Sequence, residues 1–230
     1  MAKIELPDKV FGKEVKGAME RVLSSQQTAP DIQPISITPD LNGFVYVPSL
    51  KLYIQKQKQL DGKNWNDAHE ELIKQGLKMP TIEEFRQFLN YLKQNPNKEN
   101  TDIYDKITQV RSPWRSEWLD ASFKKEGKDM FIVYHIFQGN SIAEKKEKLS
   151  DYLAKDKTPG ISLEKWLKEA NTQGLPKSEI ENGNLYYWAP VSGRVARFYA
   201  DSDRASLYCN RSPDDSYSGL GVRGIKAGDS

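Results

Sequence analysis

Apolar residues follow a helical spacing through the first half of the 230-residue chain and strict alternation near its end. That change of period predicts helices early and sheet late. Residues 1–25 place Val10, Phe11, Val15, Met19, Val22 and Leu23 at roughly helical spacing in a polar segment. Pro30, Pro34 and Pro39 then keep 28–39 extended, as a linker or an edge strand. From 43 to 54, Phe44 and Tyr46, then Leu50, Leu52 and Ile54, alternate across Pro48, which predicts one kinked strand or two short ones. A helix capped by Asn64 or Asn66 runs to about Gln75. Its apolar face is Trp65, Ala68, Leu72 and Ile73, and Gly76 stops it. Met79-Pro80-Thr81 opens a second helix, in which Thr81 and Glu84 form a capping-box pattern and Ile82, Phe85, Phe88, Leu89 and Leu92 form the buried stripe. Residues 94–102 are polar and read as turns.

After Trp114 and Trp118, the short apolar run 130–137 reads as a buried strand. The charged stretch 143–157 and residues 163–170 read as two surface helices separated by Thr158-Pro159-Gly160, a helical insertion spanning about 123–183. From 184 to 225 the period is two. Ala196, Phe198 and Ala200 point one way, and Arg197, Tyr199 and Asp201 the other. Ala205, Leu207 and Cys209 point inward, and Ser206, Tyr208 and Asn210 outward. Residues 219–225 form a closing strand. The class is α+β, with 1–40 as an N-terminal helix and extended segment beside a domain over 41–230.

Composition narrows the function. The 34 basic and 32 acidic residues leave a net charge of +2, so no global field draws nucleic acid or anionic lipid. The mean hydropathy of −0.72 is polar, and the run 130–137 is far shorter than the roughly 20 residues that span a bilayer. The first residues show no signal-peptide pattern. The single cysteine excludes an intrachain disulfide framework and a Cys-rich zinc site. These features predict a cytoplasmic or virion-associated protein without membrane insertion or a nucleic-acid partner.

Chemistry-bearing motifs are sparse. His69 and His135 are the only histidines, and neither has metal-like spacing to a second ligand, so both are expected to be structural. Cys209 falls on an inward strand face and is expected to be inert. Trp65-Asn66-Asp67 looks like a calcium-ligating tripeptide but sits at a helix start. There is no GxGxxG, GxxxxGK[ST] or HExxH, and the charge run 144–148 reads as a solvated helix face. No catalytic residue, metal or cofactor is implied.

Residues 191–217 stand apart. Lys, Glu, Gln, Trp and Met make up 62 of the 230 residues, yet none falls in this window, whereas four of the nine arginines do: Arg194, Arg197, Arg204 and Arg211. Strand and turn preferences disfavour Lys, Glu and Gln and account for part of the gap. Tyr187-Trp188-Ala189-Pro190, Val195-Ala196-Arg197-Phe198, the alternation around Ala205, Leu207 and Cys209, and Leu220-Gly221-Val222-Arg223 together resemble the C-terminal region of variable proteins of diversity-generating retroelements. Those proteins have a C-type-lectin fold. The likeness is specific over about 184–225. It is looser over 43–122, where the two helices are similar to the two-helix half of that fold and Trp114-Arg115 to the start of its sheet.

The resemblance implies a C-type lectin-like fold with two helices and a small, mainly antiparallel, twisted sheet. It also implies adenine mutagenesis of AAY codons, and the resulting NNY codons cannot encode Lys, Glu, Gln, Trp or Met. The variable, ligand-binding positions are then Ser192, Gly193, Arg194, Tyr199, Asp201, Arg204, Ser206, Tyr208, Asn210, Ser212, Asp214, Asp215 and Tyr217, outward or in loops. The partner expected is a protein or cell-surface ligand. Two alternatives share the fold: a calcium-dependent carbohydrate-binding lectin, and a formylglycine-generating-type oxidase. The oxidase resembles a copper site needing two cysteines.

Overall fold

Side-chain caps set the helices. The structure is a computed structural model that describes residues 9–10, 13–14, 41–139, 141–177 and 180–228. The Asn64 side chain accepts the Asp67 N–H and starts α1 (Trp65–Lys74), and Gly76, at φ +69°, follows its end. This helix buries Trp65, Ala68, His69 and Leu72. Ile73 was expected on that face but is 48% exposed, because the buried stripe is narrow and His69 occupies its flank. Both halves of the capping box form at α2 (Ile82–Gln94): the Glu84 N–H donates to Thr81 Oγ1 at 3.2 Å and the Thr81 N–H to Glu84 Oε2 at 2.7 Å. Its five stripe residues are all buried. Residues 94–102 are not simply turns. Asn97 caps a further helix, α3 (Lys98–Thr108), which buries Ile103 and Ile107; the polar composition around those two residues hid the helical spacing.

The large sheet is built from β5 (Arg115–Glu126), β6 (Asp129–Gln138), β7 (Ser141–Lys148), β8 (Lys157–Ile161), β9 (Leu185–Trp188), β10 (Arg194–Ala200) and β11 (Ala205–Arg211). Their order is β7-β6-β5-β10-β11-β9-β8, and β12 (Leu220–Val222) pairs with β5 off that path. The β9–β11 and β5–β12 pairs are parallel, and the other pairs are antiparallel. A second sheet joins β3 (Phe44–Val47), β4 (Leu52–Gln55) and β13 (Ile225–Ala227). So the stretch 43–54 forms two short strands, and 219–225 splits between two sheets instead of forming one closing strand.

Residues 1–40 form a unit of their own, separate from 41–230. Within it β1 (Lys9–Val10) and β2 (Lys13–Glu14) pair antiparallel, Lys9 with Glu14 and Val10 with Lys13. This replaces the expected helix at those positions, where Gly12 intervenes in the sequence and weakens helix formation. The rest of that helix and the extended stretch 28–39 lie outside the described residues.

The expected helical insertion is mostly sheet. The charged stretch after residue 143 continues an edge strand, β7, paired along its whole length with β6. Charged side chains protect such an edge, and Lys146 and Lys145 lie over the Phe131 and Tyr134 rings at 4.6 and 5.8 Å. Being near the edge, β6 is half-buried, and only Ile132 along it is fully covered. Thr158-Pro159-Gly160 lies inside β8. The short α4 (Leu163–Lys168) is not a surface helix: Trp166 and Leu167 are buried, and the Trp166 ring stacks on Phe198 at 6.4 Å.

One buried ionic cluster ties the C-terminal segment to the sheet. Glu117 of β5 accepts hydrogen bonds from Arg223 Nε at 3.0 Å, Arg223 Nη2 at 2.9 Å and Arg115 Nη2 at 2.5 Å. Arg223 also donates to the Gln55 carbonyl and lies 5.4 Å from the centre of the Phe88 ring. Burial alone would push the Glu117 carboxyl up, but the Arg223 and then the Arg115 guanidinium outweigh it and hold the group at about 2. Arg223→Ala is therefore expected to lower the unfolding free energy by about 3–5 kcal/mol, since it strands a buried charge. The pair's contribution is complete above the ordinary carboxyl value of 4.5 and drains away as the pH falls toward 2. Urea unfolding across that range should show the acid-dependent loss in the wild type and a reduced one in Arg223→Ala; identical acid slopes would contradict this account.

Candidate functional site

The hairpin β10–β11 carries most of the nominated surface. On its inner side Ala196, Phe198, Ala200, Ala205, Leu207 and Cys209 are all buried, joined by Leu185 and Tyr187 of β9. Burial pushes the Cys209 thiol well above its ordinary value, as suits an inert core group. A bulge between Val195 and Ala196 shifts the register against β5, so both residues are buried, in different apolar clusters.

The other side of the same strands is a layer of rings and guanidiniums. Register places Arg197 beside Tyr208, Tyr199 beside Ser206, and Ser206 and Tyr208 beside Tyr186 and Trp188. Trp188 and Tyr208 stack at 5.6 Å and 5°, and Tyr199 meets Tyr208 edge-on at 5.9 Å. Trp114 bridges Tyr199 and Tyr217 at 5.6 and 6.1 Å. Arg197 lies 5.2 Å from the centres of both the Tyr199 and Tyr208 rings, Arg211 5.4 Å from Tyr208 and Arg204 5.1 Å from Tyr186. Asp215 holds two of these cations, Arg211 Nη2 at 3.1 Å and Arg197 Nη1 at 3.7 Å. Burial, with Arg211 beside it, lowers the Arg197 value. Burial and the Asp201 carboxylate raise the Tyr199 hydroxyl to about 12.

The nominated residues divide by exposure. Ser192, Gly193, Arg194, Asp214 and Tyr217 are exposed, and Tyr199, Asp201, Arg204, Asn210, Ser212 and Asp215 are half-buried. Ser206 and Tyr208 are buried, at 0% and 9% exposure. Their strand face does point away from the core, as the alternation requires, but larger side chains on the adjacent strands close over them. Arg197, also outward by alternation, is buried for the same reason. Asp201 shapes the turn, accepting the Asp203 and Arg204 N–H groups at 2.9 Å.

The nominated residues also divide in place. Ser192, Gly193 and Arg194 line a cleft of about 540 Å³ with Trp65, Asn66, Val133 and Glu144, apart from the Tyr199–Tyr217 layer. Trp114, Tyr186, Trp188, Arg197 and Arg211 belong to that layer and are not among the positions the sequence points to. Tyr186 and Trp188 alternate with buried Leu185 and Tyr187, a signal present in the sequence.

Eight buried side-chain polar atoms lack a hydrogen-bond partner among the described residues, and six belong to this layer: Trp188 Nε1, Arg197 Nε and Nη1, Arg204 Nε, Ser206 Oγ and Asn210 Oδ1. Such atoms are normally satisfied, and their concentration here shows that the polar groups of this face are packed among rings and largely withdrawn from solvent.

A second constellation lies on β5, β6 and α1. His69 of α1, Asp120 of β5 and His135 of β6 each bring one ligating atom within 4.8 Å of the others. The ladder of β5 with β6 stops at Ser122 and Val133, and beyond it Asp120 Oδ2 accepts the His135 N–H at 2.7 Å. Asp120 Oδ1 faces His135 Nδ1 at 3.1 Å and His69 Nε2 at 3.4 Å. His69 Nε2 is buried without a hydrogen-bond partner. Trp65 packs edge-on against His69 at 4.1 Å, its Nε1 bound to the Leu119 carbonyl. Burial pushes the Asp120 carboxyl up, but His135 and then His69 hold it at about 2. Three elements supply this set, so no local spacing announces it.

No protein-family model matches the chain, and neither a curated protein nor a solved structure matches it. The layer's packing separates two tyrosines. Tyr208→Ala removes a ring enclosed by Trp188, Tyr199 and two arginines and is expected to cost about 3 kcal/mol. Tyr217→Ala, at a position 47% exposed, should change stability by no more than about 0.5 kcal/mol. Denaturant titration of the two variants checks the difference.

Proposed function

We propose that this chain is a non-enzymatic binding protein that presents the outer β9–β11–β10 layer and its flanking loops to a protein or cell-surface ligand. Residues 191–217 are its variable region, diversified by retroelement adenine mutagenesis on a C-type-lectin-like scaffold. The observation that carries the binding role is a continuous layer of rings and arginines on one sheet face, with Tyr199, Arg204 and Arg211 half-buried and Tyr217 exposed at its rim. Rings give rigid contact area at small entropic cost, and arginine gives charge together with a flat stacking surface. The missing residue types support the variable assignment, as does the separation of inner scaffold from outer positions within a single hairpin. Because Ser206 and Tyr208 are enclosed, they vary narrowly, and the exposed and half-buried positions vary widely.

The two alternatives fit less well. Asn66 and Asp67 lie in the first turn of α1, where Asp67 serves the Asn64 cap through both its N–H and its carboxylate, so the tripeptide is committed to helix initiation. A two-cysteine copper site has one candidate, Cys209, closed into the core.

The DNA flanking the coding sequence tests the reading. A template repeat should differ from it only at adenines aligned with the codons named above; differences at Ala196, Phe198, Leu207 or Cys209 would overturn it. At the protein level, Arg194→Ser, Asp214→Asn and Tyr217→Asn combined should shift stability by no more than about 1 kcal/mol. Ala196→Leu, which overfills the core, should cost about 1–3 kcal/mol. Thermal unfolding distinguishes the two outcomes.

A further inference from the structure

We infer that His69, Asp120 and His135 form a binding site for one divalent first-row transition ion, zinc being the best fit. None of its three residues is among the proposed ligand-binding positions, although Ser192, Gly193 and Arg194 line the cleft beside it. Two imidazole nitrogens and one carboxylate oxygen are the donor set of an open zinc site or of a facial iron(II) triad, and calcium and magnesium prefer all-oxygen sets.

The geometry suits the smaller ion. Around a tetrahedral zinc with bonds of about 2.0–2.1 Å, neighbouring donors stand roughly 3.4 Å apart. Asp120 Oδ1 already lies 3.4 Å from His69 Nε2 and 3.1 Å from His135 Nδ1, and all three donors fall within 4.8 Å. An ion between them needs both imidazoles neutral, with the lone pairs of those two nitrogens turned toward the carboxylate.

The surroundings bear on the same point. Asp120 Oδ2 is held by the His135 N–H, which fixes the carboxylate and leaves Oδ1 facing the two rings. His69 Nε2 is buried beside it, 3.4 Å from Asp120 Oδ1 without a well-aligned hydrogen bond, as suits a nitrogen free to coordinate. Lys78 is the cation acting on Asp120 and His135, but its ammonium is neutralised by both oxygens of Glu84, at 2.9 and 2.7 Å. Glu144 stands opposite His135 in the β6–β7 register, adding negative charge nearby. It shares with Trp65 the wall of the 540 Å³ cleft, and Trp65 packs on His69, so the cleft lies one side chain away from the site, and His135, 22% exposed, is its most accessible member.

The test uses tag-free, chelator-treated full-length protein and the metals alone. Because His69 and His135 are the chain's only histidines, their ring-proton NMR signals report the site without mutation. One equivalent of Zn²⁺ should shift both sets together and complete the change. Co²⁺ should give the intense visible bands of a low-coordinate ion, and Zn²⁺ should raise the thermal midpoint while Ca²⁺ and Mg²⁺ do not. His69→Gln and His135→Gln should each weaken Zn²⁺ binding by more than the roughly 10–100-fold cost of losing an outer-shell partner. Zn²⁺ uptake that leaves the histidine signals unmoved, an adventitious ion on surface carboxylates only, would overturn the inference. So would Zn²⁺ affinity unchanged in either folded variant. If the variants fail to fold, the wild-type NMR titration decides by itself.

Discussion

Two carboxylates buried in one strand organise the molecule. A charge removed from water is tolerated only when partners surround it, and β5 imposes that demand on both of its faces. Glu117 is met by Arg115 and Arg223, which fixes the segment between β12 and β13 against the sheet and, through the Gln55 carbonyl, against β4. Asp120 is met by the backbone and ring of His135 and by the proximity of His69, which positions the end of β6 and the α1 helix. The hairpin partner β10 pairs along this same strand. The geometry of the aromatic layer is thus set from beneath by groups that take no part in it.

That arrangement bears on the composition of 191–217. Ring contact favours arginine as the base there, since a guanidinium is weakly hydrated and is attracted to an aromatic ring, and Arg197, Arg204 and Arg211 each lie within 5.4 Å of a ring centre. Strand preference explains part of the shortage of Lys, Glu and Gln. Neither bears on Trp, a good strand residue that the same layer uses at Trp114 and Trp188, both before the window. The codon rule of the proposed function would remove Trp within the window and leave it outside.

Local signals were legible wherever a side chain acts on its own backbone. Asn64 and Thr81 start their helices as expected, and the inner face of β10 and β11 follows the alternation residue by residue. Readings failed where a neighbouring strand decides the outcome. The Lys and Glu residues of β7 resemble a solvated helix until β6 is placed beside them. Ser206 and Tyr208 point outward but are roofed by side chains from β9 and β10. The His69–Asp120–His135 set depends on three elements meeting, and it leaves no trace in sequence spacing.

Keeping unpaired donors under a layer of rings lowers the stability of the free protein, since each desolvated polar atom costs about 1–3 kcal/mol when nothing bonds it. A structural role alone would favour apolar side chains of similar shape at these positions. A recognition role reverses that preference. The half-buried Arg204 and Arg211, already placed against rings, would lose little further freedom when a partner's carboxylate or carbonyl reaches them. Asp215 sits between Arg197 and Arg211, relieving their mutual repulsion without satisfying every N–H. On the proposed function, exchange of the exposed neighbours would change which partner fits while this cationic and aromatic floor stays in place, so affinity and specificity would come from different residues of one face.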